Sequence, residues 1–122
     1  MKFLLILHSD PAVWDGLSEA DRAAHADGHD RFRALVRDAG ELVDAETLAD
    51  PAQTSVTRVE GDRTYVTDGS FLGGRVQIAG YYLVDCENRA RAQELAALVP
   101  DAAVKGLGVE VRPVMSASGT EM

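Results

Sequence analysis

The chain has 122 residues, 46% hydrophobic and 26% charged, which is enough for one domain around one hydrophobic core and too little for two. Twelve Lys and Arg stand against 20 Asp and Glu, a formal charge of −8, with the basic residues scattered among acids; this excludes the clustered cations a nucleic-acid binder needs to displace phosphate counterions. A single cysteine excludes an internal disulfide and a multi-cysteine metal site. No apolar run approaches the length of a membrane span, so the composition points to a cytoplasmic protein with no membrane and no nucleic-acid partner.

Residues 2–8 read as a strand that is apolar on both faces, with Phe3, Leu5 and Leu7 on one side and Leu4, Ile6 and His8 on the other. Asp10-Pro11 breaks the strand, and Trp14-Asp15-Gly16 reads as a loop in which Trp14 is either a lid or a surface anchor. Ser18 is the expected N-cap of a helix that runs to about Asp38 and stops at Gly40, with Asp21 completing an approximate capping box. Phe32, Leu35, Val36 and Ala39 are its expected buried face.

A second strand is expected over residues 41–48. Residues 54–59 and 63–67 flank Glu60-Gly61-Asp62 and read as a hairpin. The turn at Asp68 and the glycines at 73 and 74 lead into a strand over residues 77–85, where Ile78, Gly80, Tyr82 and Val84 alternate with Ala79, Tyr81 and Leu83. Asn88 caps a helix over residues 89–99 that ends before Pro100, and its core stripe is Ala92, Leu95, Ala96 and Val99. Residues 109–114 form the last strand. The expected organisation is one domain over residues 1–115 and a flexible tail over 116–122.

This order is that of an α+β fold, the ferredoxin-like βαββαβ plan with an inserted hairpin. Helices would cover one sheet face. The other face keeps apolar residues that no third helix can bury, and a second copy is the simplest cover, giving a homodimer through the open sheet face.

Residues 25, 29, 32 and 36 share one helical stripe, which places His25 and His29 on the inward face with Phe32 and Val36. Gly28 lies near that stripe, where a missing side chain permits close approach. The two histidines have the i, i+4 spacing of a zinc grip, with Asp10 or Asp68 as a third ligand. Ala26 stands where the metalloprotease motif needs glutamate, and the glycines match neither a phosphate-binding loop nor a dinucleotide fingerprint. No metal and no cofactor is expected. Tyr81 and Tyr82 point to opposite faces, and Tyr82 is the candidate for a pocket wall. Cys86, between Asp85 and Glu87, reads as a packing residue, since acidic neighbours suppress the thiolate.

The stretch YVTDGSFLGGRVQIAGYYLVD (residues 65–85), with VEVRPV at 109–114, resembles the YCII-related family, in particular the branch named for the tetrapeptide Asp-Gly-Pro-Phe. Here the tetrapeptide reads Asp68-Gly69-Ser70-Phe71, so serine replaces proline and relaxes the turn. The resemblance implies an α+β-barrel dimer. It also implies a catalytic pair formed by a helical histidine and an aspartate ending the first strand, which in this sequence are His29 and Asp10. A carboxylate beside an imidazole fixes its tautomer and raises its basicity, as a general base requires. His25 is the alternative partner. Asp68, Ser70 and Phe71 would line the pocket mouth around an unknown small-molecule ligand. Family members include enzymes that eliminate halide from chlorinated rings, and relatives are encoded beside extracytoplasmic-function sigma factors. The expectation is therefore a lyase- or hydrolase-like enzyme of unknown substrate, with a non-catalytic ligand-binding or regulatory module as the alternative.

Overall fold

The computed structural model describes residues 1–115; the expected tail at 116–122 lies outside them. In chain order the elements are β1 (Lys2–Ser9), α1 (Pro11–Asp15), α2 (Glu19–Asp38), β2 (Leu42–Thr47), β3 (Ser55–Glu60), β4 (Arg63–Asp68), β5 (Gln77–Asp85), α3 (Arg89–Leu98) and β6 (Val109–Pro113). Short 3-10 turns at Pro51–Gln53 and Pro100–Ala103 join them. The fold is mixed α+β: a four-stranded antiparallel sheet in the order β2-β5-β1-β6, and a separate two-stranded sheet, β3-β4.

Alternation along each strand sets the two faces. Leu5 stands opposite Tyr82 on β5 and Val111 on β6, and Tyr82 stands opposite Ala45 on β2. This row, with Phe3, Leu7 and Val84, packs against Phe32 and Val36 of α2 and against Ala92, Leu95 and Ala96 of α3. Both long helices therefore cover the same face. Phe3, Leu5, Val36, Val84, Leu95 and Val99 are fully buried, each contributing roughly 1.5–3 kcal/mol of transfer free energy. Cys86 belongs to this core, as expected.

The opposite face carries Leu4 and Ile6 paired with Leu83 and Tyr81. These residues are partly buried, and no element covers them among the described residues. Charged residues flank them: Asp44 and Glu46 on β2, Glu110 and Arg112 on β6.

Local signals account for most boundaries. Ser18 caps α2 by accepting from the Asp21 amide at 3.0 Å, and Asn88 caps α3 through the Arg91 amide at 2.9 Å. The hairpin turns at Gly61, whose φ of +63° suits a residue without a Cβ. Two expectations are corrected. Residues 14–16 are not a loop throughout: Pro11–Asp15 forms α1, because Asp10 accepts from the Ala12 amide at 3.0 Å and Pro11 occupies a first-turn position where its missing N–H is harmless. Leu35 and Ala39 are not buried; Leu35 is 46% exposed, since the inward stripe of α2 runs through 25, 29, 32 and 36.

Two glycines set distances that matter for the site. A Cβ on Gly80 would lie 2.6 Å from the Glu46 carbonyl oxygen, so β2 and β5 meet closely only because that side chain is missing. A Cβ on Gly28 would lie 2.6 Å from Cγ of Pro100, so α2 closes onto the turn that follows α3.

Candidate active site

The approach at Gly28 brings Asp101, the residue after Pro100, under the inward face of α2. Asp101 is 6% exposed. His25 and His29 stand one helical turn apart above it, and both direct Nε2 to the same carboxylate oxygen, at 2.9 Å and 2.7 Å. The other ring nitrogen of His29, Nδ1, lies 2.6 Å from the Tyr82 hydroxyl, which also accepts from Arg33 Nη1 at 3.4 Å. Arg33 in turn pairs with Asp30.

Aromatic rings continue the wall. Trp14 of α1 meets His25 edge-on with centroids 5.3 Å apart; His25 and His29 are 4.7 Å apart, and His29 stacks on Tyr82 at 5.8 Å. Arg22 holds Trp14 in place, with its guanidinium 5.5 Å from the indole centroid and a 3.0 Å hydrogen bond to the Trp14 carbonyl.

Burial alone would raise the Asp101 pKa, but the hydrogen bond and charge of His29, with those of His25, outweigh it and hold the carboxyl below its ordinary range. Burial pushes the Tyr82 hydroxyl up, against the opposing pull of Arg33. The pair is therefore an ionised acceptor and a protonated donor, separated by one imidazole.

These groups form one wall of a cavity of about 880 Å³. Its apolar lining includes Leu7, Val13, Trp14, Leu17, Val104 and Leu107. His25, His29, Tyr82, Trp14 and Asp10 all line it, which brings together five of the residues singled out in the sequence.

Asp10 is not the partner of His29. Its carboxylate caps α1 and pairs with Arg75 Nε at 2.9 Å, while both nitrogens of His29 are engaged by Asp101 and Tyr82. Asp68, Ser70 and Phe71 are not among the residues lining the cavity. Asp68 ends β4 opposite Ser55, Ser70 Oγ accepts from the Gly73 amide at 3.1 Å, and Phe71 is 71% exposed beneath Arg58. They shape the turn after the hairpin. The residues the sequence reading missed are Asp101, Arg33 and Arg75. The available signal for Asp101 was slight, an acid following the proline that ends α3.

His25, His29 and Asp101 also form a group of metal-ligand type, with donor atoms within 4.8 Å of one another. A tetrahedral ion with ligands at about 2.1 Å would hold its donors roughly 3.4 Å apart. The 2.7 and 2.9 Å separations are those of hydrogen bonds, so these groups as arranged bind each other.

The fold and the site together define a small α+β protein with a carboxylate-bridged pair of histidines at the wall of a cavity of mixed polar and apolar lining. A family model described as the YCII-related domain matches residues 1–118, and the chain belongs to that family. A search of curated proteins gave no match. Among the described residues, no helix is long and apolar enough to cross a membrane.

Proposed function

We propose that this protein is a small-molecule enzyme of lyase- or hydrolase-like type, working by proton transfer from its substrate to a histidine general base that Asp101 orients. The observation that carries this reading is the single buried carboxylate oxygen receiving two imidazoles at the wall of the cavity. An ionised carboxylate behind an imidazole fixes its tautomer and stabilises the imidazolium formed on proton uptake. The low-dielectric surroundings strengthen that effect. Asp101→Asn should reduce turnover about 100-fold or more while the far-ultraviolet circular dichroism spectrum stays native. Turnover within a few-fold of wild type would end the acid–base reading.

The second reading is a non-catalytic ligand-binding or regulatory module. It is favoured by the complete engagement of His29, which suits a fixed wall as well as a working base. Ligand bound without chemical change, by a protein indifferent to Asp101→Asn, would establish it.

We also read the main sheet as ferredoxin-like and the protein as a homodimer through its open sheet face. Support for the first comes from the order β2-β5-β1-β6 with α2 and α3 on one side. Support for the second comes from Leu4, Ile6, Tyr81 and Leu83 on the uncovered side. Tyr81, Ala79 and Glu46 also line the cavity, so a partner on that face would wall its mouth.

A further inference from the structure

The hydrogen bonds of the site can be assigned donor by donor. An ionised carboxylate only accepts, so His25 Nε2 and His29 Nε2 must both carry protons toward Asp101 Oδ1. His29 Nδ1 is then taken by Tyr82, either accepting from the hydroxyl in the neutral imidazole or donating to it in the imidazolium. In neither state does His29 keep a nitrogen for a substrate. His25 differs. Its Nδ1 has no hydrogen-bond partner among the described residues, and the one fully buried side-chain nitrogen or oxygen without a partner there is Arg22 Nε. The His25 Nδ1 lone pair is therefore unused and not fully buried, on a ring that lines the cavity beside Trp14 and also the neighbouring groove with Gly28 and Phe32.

The charges of the lining bear on what can enter. Arg33 is paired with Asp30, Arg75 reaches Asp10 at the cavity wall, and His8 is paired with Glu110. Glu46 lines the cavity with no cation beside it among the described residues. An anionic group would find no uncommitted cation there and would meet acids instead. A neutral molecule meets leucine, valine and tryptophan beside hydroxyl groups and charges that are mostly already paired.

We propose that His25, through Nδ1, is the base that takes the proton, that His29 is a positioning residue, and that the substrate is a neutral, largely apolar carbonyl compound with an acidic C–H. This rests on the acid–base reading above and assigns its parts. In the step, the C–H bond breaks and its electron pair stays on the substrate as the enolate, whose charge is met by the imidazolium formed with it on His25 rather than by a resident cation. The proton forms a new N–H bond at His25 Nδ1, and the imidazolium keeps its Nε2–H on Asp101. Where the β-carbon carries a leaving group, the enolate pair expels it as an anion while the C=C bond forms, and the Nδ1 proton departs with it; without one the proton returns to the substrate, so no co-reactant is needed. His29 donates to the same Oδ1 and, held at Nδ1 by Tyr82, stops the carboxylate from turning away from His25.

The test combines two measurements on the full chain. Long-range proton–nitrogen correlation on protein labelled with ¹⁵N-histidine should show His25 with a protonated Nε2 and a bare Nδ1 at neutral pH. In heavy water, the wild type should wash deuterium into members of a panel of neutral ring ketones and lactones. His25→Gln should slow this about 100-fold or more. His29→Gln, whose amide can still donate to Asp101, should retain more activity than His29→Ala, with the loss in kcat rather than KM. A protonated or hydrogen-bonded His25 Nδ1 would overturn the proposal, as would exchange that survives His25→Gln and is abolished by His29→Gln. Silence of the wild type across the panel, with the bare Nδ1 in place, would instead refute the acid–base reading, and the assignment of His25 with it.

Discussion

At Asp101, two imidazole N–H groups stabilise a carboxylate that burial disfavours, and the balance leaves its pKa depressed in the folded protein. The unfolded chain binds the proton first as pH falls, so the interaction stabilises the fold above the ordinary aspartate pKa of about 3.9 and is lost as pH drops through the lower folded value. Asp101→Asn should therefore cost about 1–3 kcal/mol at neutral pH, and its gap to wild type should narrow toward pH 3. Denaturant unfolding at the two pH values checks this; a gap independent of pH would show that the carboxylate's charge contributes nothing. Cys86 makes a contrasting case. Burial first, and then the nearby Glu41, push its thiol up, so an aromatic disulfide reagent should react slowly with the native protein and rapidly in denaturant.

The site depends on how closely its elements approach, and that is set where side chains are missing. Gly28→Ala places a methyl 2.6 Å from the Pro100 ring, whose atoms cannot swing aside as a long side chain would. The overpacking should cost about 1–3 kcal/mol, against a gain of up to about 1 kcal/mol from helix propensity. The net loss should be modest, but α2 should lift from the turn carrying Asp101 and activity should fall more than stability does. Gly80→Ala meets a backbone carbonyl instead, which can retreat only if β2 leaves β5, so it should be the more destabilising of the two. Thermal melts of both variants, with activity alongside, test the ranking. The β3-β4 hairpin contributes no buried side chain and forms its own sheet. Replacing it with a short turn should leave the main sheet folded.

On the scale of the whole molecule, one sheet face is sealed by two helices and the other carries an apolar centre between acidic and mixed-charge edges. If a second copy covers that face, the wild type should sediment as a dimer at micromolar concentration, and Ile6→Asp should give a folded monomer. A monomeric wild type would dismiss the interface.

The strands, the two long helices, the hairpin and the caps at Ser18 and Asn88 were legible in the sequence because each rests on contacts between near neighbours. Periodicity likewise put His25, His29, Phe32 and Val36 on one inward stripe. The carboxylate beneath that stripe was not legible. Asp10 follows a strand and looked free, yet it caps the helix that begins beside it and pairs with Arg75 from far along the chain. Asp101 meets His25 across 76 residues and His29 across 72, through an approach that Gly28 and Pro100 allow. Nothing local distinguishes such an acid from a solvated one. Local chemistry determined which residues could serve, and only the packing of α2 on the turn after α3 decided which of the aspartates the histidines share.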